Sequence, residues 1–219
     1  MSSRKRPCVI LVADSNMAAV FRGYFGRDQW HRSLGCAPFE FAAEIGKDLL
    51  VDEGGNDPGV YSRAHELLRP YQRSHERALV VLDCEWGGSP GQSKIVADIT
   101  ANLVASGWGK NAAKVIAIEP ELENWLWQDN PRVAEALRYR GEPVLRELLA
   151  QRGWWPAGQA KPPRPKETAE WVLRQTRQPR SSAIYEELAG RISIKGCSDV
   201  AFRELHATLQ AWFPPETPI

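Results

Sequence analysis

Apolar residues along the first half of the chain fall into short unbroken runs, separated by stretches whose apolar positions recur at helical spacing. Residues 8–13 (Cys-Val-Ile-Leu-Val-Ala) and 78–82 (Ala-Leu-Val-Val-Leu) contain no polar residue. Strands that lack polar alternation are covered on both faces, which is the setting of a central strand in a parallel sheet. A third run, 114–118, opens with Lys114 and continues as Val-Ile-Ala-Ile. Between the runs the period becomes helical. Residues 17–25 follow the first run, with Ser15 and Asn16 favoured as the cap. Val60, Ala64, Leu67, Leu68 and Tyr71 predict a helix over 60–75 that Pro70 kinks or ends. Ile95, Val96, Ile99, Leu103 and Val104 form the stripe of a helix over 92–105, which Gly107 is placed to stop. Residues 26–57 parse poorly. One strand is assigned there, with apolar stretches at 38–41 and 49–51 ahead of the turn-rich 52–59. The alternation through residue 127 predicts an α/β fold whose sheet is mostly parallel, with about four or five strands and right-handed crossovers.

After residue 131 the strand signals fade. Leu137, Leu145, Leu148 and Leu149 suggest one or two short helices, 156–165 is linker-like and proline-rich, and further helices are expected over 167–175, 182–189 and 199–212. The chain thus divides into an α/β domain over 1–130 and a helical, partly basic region over 131–219 packed on it. Charge sharpens that division. Residues 131–180 hold eleven Lys or Arg against five Asp or Glu, whereas the whole chain carries a net charge of only +1. An overall balance of that kind gives no general attraction to nucleic acid or membrane, so such a preference must come from a local patch. Arg132, Arg138, Arg140, Arg164 and Lys166, interleaved with Trp154, Trp155 and Trp171, are candidates to follow a phosphate backbone and stack on bases. A solvated basic face over buried tryptophans accounts for the same pattern.

The candidate chemistry lies where the runs end. The second stops at Asp83-Cys84-Glu85 and breaks into Gly87-Gly88. Residues two apart on an extended segment project to one side, so Asp83 and Glu85 can face one point, and paired carboxylates suit a hard cation such as Mg²⁺. Asp14 follows the first run, and Glu119, Glu121 and Glu123 follow the third. Open parallel sheets bind ligands beyond the carboxyl ends of their strands, so one edge of the sheet collects all these acids. Each also has an ordinary structural role open to it: a solvated strand end for the pair, a turn or cap for Asp14, a helix-dipole acid for each glutamate. Arg22, His31 and Arg32 follow the first strand and can reach the same edge.

Other chemistries find no support. With 43% hydrophobic and 25% charged residues the composition is that of a globular protein. Cys8, Cys36, Cys84 and Cys197 are too widely spread for a CxxC pair, which points to reduced thiols and a cytoplasmic location. The apolar run near the start is too short for a signal peptide, and no run is long enough for a membrane span, so no membrane partner is expected. A phosphate-binding glycine loop, a GxSxG elbow and an HExxH segment are all lacking.

The arrangement of Asp14, the Asp83-x-Glu85 pair and Pro120-Glu121-Leu122-Glu123-Asn124-Trp125-Leu126-Trp127 resembles the Toprim-type domain. The last segment is similar to the Pro-x-x-Glu-x-Trp-Leu pattern of Toprim-related proteins of prokaryotic antiphage defence, the RloB-like group and its relatives, including a small component of methylation-associated defence systems. The resemblance covers residues 8 to about 128. In this chain Asp14-Ser15 stands where the family has Glu-Gly, and Asp83-Cys84-Glu85 where it has Asp-x-Asp. The resemblance implies Mg²⁺ or Mn²⁺ held by Asp14, Asp83 and Glu85, with Glu121 or Glu123 as base or further ligand. It implies a nuclease-type component of a defence system acting on DNA or RNA. The alternative it leaves is a catalytically inactive binding subunit that recognises nucleic acid or another defence protein.

Overall fold

A computed structural model of the chain describes residues 4–215. Four strands form one parallel sheet: β1 (Arg6–Val12), β2 (Leu49–Val51), β3 (His75–Asp83) and β4 (Ala113–Ile118), in the order β2-β1-β3-β4. Register runs Ile10 to Leu79 between β1 and β3, and Leu79 to Lys114 between β3 and β4. Ala78 to Leu82 are wholly inaccessible to solvent, as the absence of polar alternation requires.

Helix α1 (Ser15–Phe25) leads from β1 toward the short α2 (Trp30–Leu34), and α3 (Asp57–Leu68) links β2 to β3. Its partner on the same face is α4 (Gln92–Ala105), which links β3 to β4. After β4 come the short helices α5 (Glu123–Leu126), α6 (Pro131–Ala136) and α7 (Leu145–Gln151), then α8 (Pro165–Gln175), α9 (Ser182–Arg191) and α10 (Val200–Trp212). Helices α1 and α9 pack closely on each other, while α10 lies against β4. The two run parallel, since Ser182 bonds Ser15 at their starts and Arg22 pairs with Glu186 further along. Gly23 permits the close approach. A Cβ there would stand 2.4 Å from the Glu186 carbonyl oxygen and 2.8 Å from the Ala189 Cβ.

Several expectations are corrected. The helix placed over 60–75 starts at Asp57, capped by the Asn56 side chain. It gives way at Pro70 to a 3-10 turn, Arg69–Arg73, and residues 75–78 belong to β3. The cap of α1 is Asp14, which accepts from the Met17 amide at 2.8 Å, instead of Ser15 or Asn16. Residues 156–165 are not a free linker. Pro162 and Pro165 are buried, Lys161 Nζ donates to the Trp127 carbonyl, and the Arg146 guanidinium lies 4.5 Å from the Trp155 ring centroid. As expected of a helical region packed on the α/β domain, residues 4–130 and 131–215 contribute to one hydrophobic core, in which Phe21, Trp125 and Phe202 meet edge to face. Among the described residues no helix is long and apolar enough to cross a membrane.

Candidate functional site

Strand order fixes where a ligand can enter. The chain moves from β1 outward to β2 and returns to the other side of β1 to form β3, so helices diverge above the adjacent carboxyl ends of β1 and β3. That reversal point is the crevice in which open parallel sheets bind their ligands. It falls between Asp14 and Asp83.

Asp83 is the residue most perturbed by this position. Its carboxyl is held well above the usual carboxylate range, first by burial and then by the like charges of Asp57, Glu123, Asp14 and Glu121. The residue as a whole is half-buried, yet its Oδ1 is sealed from solvent and has no hydrogen-bond partner. A buried acceptor left without a donor costs about 1–3 kcal/mol. Five carboxylates from four chain segments therefore act on one another at a single edge.

Each neighbour of Asp83 is held by one oxygen. Asp14 accepts from Met17 N, Asp57 Oδ1 from Asp83 N at 2.8 Å, and Glu121 Oε1 from Lys166 N at 2.7 Å. Glu123 Oε1 accepts from Arg180 at 2.8 Å and from the Tyr185 hydroxyl. Such a donor set, hard oxygens anchored on one side, suits Mg²⁺ or Mn²⁺. As folded, no three His, Cys, Asp or Glu side chains among the described residues are positioned to hold a metal ion. Burial and then the nearby Glu119, Asp83 and Asp57 push the thiol of Cys84, beside the cluster, up to about 12.

The placement of the expected residues is uneven. Asp14, Asp83, Glu121 and Glu123 converge, but Glu85 does not. Strand β3 ends at Asp83, so the alternation that would aim Glu85 inward stops there, and Glu85 lies exposed in the following turn. Its place among the charges around Asp83 is taken by Asp57 at the first turn of α3, whose own carboxyl burial and then Asp14 raise. Asn56-Asp57-Pro58, a capping residue followed by an acid and a proline, is the sequence signal that marks Asp57 as a helix start. Asp52, at the end of β2, is buried and bonded by Arg63, and its Oδ2 is also sealed without a partner. Glu119 is exposed and lies outside α5, which begins only at Glu123.

The basic residues separate into groups. Lys166 stands near enough to Asp57 and Glu121 to offset their charge. Exposed Arg164 covers the Trp154 ring at 5.1 Å, and Trp154 packs on Trp171. Arg138 pairs with Glu187, and Arg132 donates to the Arg191 carbonyl, so both belong to the far end of α9. Arg140 is exposed. Arg22 pairs with Glu186, and His31 and Arg32 lie in α2 beyond the end of α1, so these three do not join the acidic edge.

Glu121 titrates near neutrality. Burial first, and then Glu123, lift its carboxyl to about 7 against the bond from Lys166 N. Between its ordinary value of 4.5 and about 7 the folded chain keeps a proton that the unfolded chain has released, so this group lowers stability as pH rises through that window. The melting temperature of metal-free protein is therefore expected to fall between pH 5 and pH 8. Glu121→Gln should flatten part of that slope, and an unchanged slope would remove Glu121 from the account.

Comparison of the chain with protein-family models, with curated proteins and with solved structures gives no match.

Proposed function

We propose that the edge formed by Asp14, Asp57, Asp83, Glu121 and Glu123 is a divalent-cation-dependent phosphodiesterase site, in a nuclease-type component of prokaryotic antiphage defence. The observation that carries this reading is Asp83, whose unpartnered buried oxygen stands among four other carboxylates at the reversal point of a parallel sheet. A structural role alone gives no reason to gather that much like charge, and a cation relieves it. The assignment to defence rests on the resemblance of residues 8 to about 128 to Toprim-related proteins.

In this reading Asp14, Asp57 and Asp83 hold the ion, and Glu123, already neutralised by Arg180, fixes the wall behind them. A bound Mg²⁺ would supply Lewis-acid polarisation of a phosphoryl oxygen and a more acidic bound water. Glu121, with its carboxyl near 7, can take a proton from an attacking water or return one to a leaving oxygen at physiological pH. Lys166, near enough to offset the charge of Asp57 and Glu121, supplies a cation beside the place where phosphate charge would gather. Arg164 with Trp154 and Trp171 offers a cation and aromatic faces for a single strand.

A binding subunit without activity is the second reading, and the ion pair of Glu123 with Arg180 favours it, because that acid is already satisfied by the protein. Titration with Mn²⁺ separates the two. For the enzyme, saturation at a hundred times the dissociation constant adds about 2.7 kcal/mol, a rise of roughly 5–10 °C for a chain of this length. Metal-dependent cleavage of bis(p-nitrophenyl) phosphate or of nucleic acid is expected alongside. A melting temperature indifferent to Mn²⁺ and Mg²⁺ removes the enzyme reading and leaves the binding subunit.

A further inference from the structure

Helix α1 carries 11 residues, so Arg27, just past its end, stands ~16 Å or more from the acidic edge where the helix begins. Here the chain builds a surface of opposite character. A pocket of about 440 Å³ lies between the ends of α1 and α9, the serine-bearing α2 and the start of α6. Four of its lining residues are cations, Arg27, Arg132, Arg191 and Lys195, and none is acidic. The polar remainder can also donate. Ser33 and Ser193 bring hydroxyls, and Asn130 has spent its amide oxygen on the Arg132 amide nitrogen, which leaves its NH₂ available.

Part of this charge has a structural task. Arg27 donates through Nε at 2.9 Å to the Ala189 carbonyl and through Nη2 at 2.8 Å to that of Ile192, and Arg132 Nη1 donates to the Arg191 carbonyl at 2.7 Å. These bonds close the carboxyl end of α9. They do not neutralise the guanidinium groups. Among the described residues Arg191 alone of the four has a carboxylate partner, Glu187, and it shares that acid with Arg138. Lys195 has no ion pair among the described residues. Burial, and next to it the charge of Arg132, set against a contribution from Tyr24, hold the Arg27 guanidinium below its usual value, so Arg27 and Arg132 are near enough to repel. A pocket in which every polar side chain donates, and in which cations repel one another, is completed by a multiply charged anion.

We propose that this pocket binds a compact phosphate-bearing anion, a pyrophosphate group either free or as the tail of a nucleotide. Its volume lies within the range of small-ligand sites, and planar guanidinium groups match phosphate oxygens two at a time. The site needs no metal and is independent of the acidic edge.

Calorimetric titration of the full chain in EDTA, with sodium pyrophosphate and with ATP as separate probes, tests the proposal. Saturable one-site binding is expected, and it should persist in Asp83→Asn. The double substitution R132A/K195A, at two exposed positions, should weaken it about tenfold or more, with no larger fall in melting temperature than the loss of one exposed hydrogen bond to the Arg191 carbonyl brings. R69A/R73A removes the same charge from another exposed face and should leave the affinity unchanged. Tighter binding of ATP than of pyrophosphate would identify a nucleotide as the source of the phosphate. Equal affinity would leave the phosphate group as the recognised part. The proposal is overturned if neither probe binds, if R132A/K195A has no effect, if R69A/R73A is equally harmful, or if only long oligonucleotides bind. Each of those outcomes leaves the metal-dependent reading of the acidic edge untouched, because that reading is measured with Mn²⁺ present.

Discussion

Asp83→Asn raises the melting temperature of the metal-free protein at pH 8 and abolishes the gain in stability from Mn²⁺. The sign follows from linkage. Burial and four like charges lift the Asp83 carboxyl well above its ordinary value of 3.8, so above that value the unfolded chain releases a proton that the folded chain retains. Stability is lost as pH rises toward the folded value and stays lost beyond it, whereas below the ordinary value both states are protonated and the substitution gains nothing from this source. The amide keeps the size of the side chain, carries no charge, and brings two donors into a neighbourhood of acceptors. Filling one unsatisfied buried position is worth about 1–3 kcal/mol, or roughly 2–12 °C for a chain of this length. Phosphodiesterase activity, by contrast, should fall about a hundredfold or more, since the charge that holds the metal is gone. Thermal melts of both proteins at pH 4 and pH 8, with and without Mn²⁺, check the whole pattern. An unchanged or lower melting temperature at pH 8 would show that the carboxylates around Asp83 do not repel as their placement implies.

Arg180→Ala produces the largest loss of stability expected from any single polar residue at this edge. Glu123 is buried with its side chain only 4% exposed, and Arg180 is its cation, with the Tyr185 hydroxyl as second donor. Removing one partner of a buried pair leaves an uncompensated charge, and such losses run at about 3–5 kcal/mol. The Arg180 side chain is 32% exposed, so water softens the effect, and about 2–4 kcal/mol is expected. Urea unfolding would register this as a lower midpoint with an unchanged slope. The double substitution Arg180→Ala with Glu123→Gln should recover much of the loss, because the stranded charge is then absent. If the double variant is no more stable than Arg180→Ala alone, the contribution of Arg180 is packing on the Tyr185 ring, whose centroid lies 5.5 Å away, and not the ion pair.

Local sequence determined a good deal of this. The polar-free runs at 8–13 and 78–82 read as strands covered on both faces, and they became the two central strands. Helix α4 was legible from its stripe, and its observed limits are those read from the spacing. That acids end β1 and β3 and follow β4 was equally plain, because strand termini are local features. Sequence alone did not show that β3 and β1 would be neighbours with a reversal between them, since strand order depends on which crossover packs on which face.

The inward residues of the site were decided at longer range. Glu85 and Asp57 are each one acid beside a turn; Asn56 and Pro58 mark Asp57 as a helix start, but nothing within a few residues shows which of the two acids meets Asp83. The end of β3 at Asp83 turned Glu85 to solvent, and the return of α3 across the sheet carried Asp57 to the Asp83 amide, 26 positions away in sequence. Glu123 read as a first-turn acid, yet it is buried because Arg180 and Tyr185, 57 and 62 residues further on, supply its donors. The basic residues expected to act together were divided for the same reason, Lys166 toward the acidic edge and Arg132 toward the far end of α9. Strands and helices are set by the alternation of apolar side chains over a few residues, which a sequence displays directly. Which charges face one another is set by the close packing of distant segments, here α9 against α1 at Gly23, and only the folded chain contains that contact.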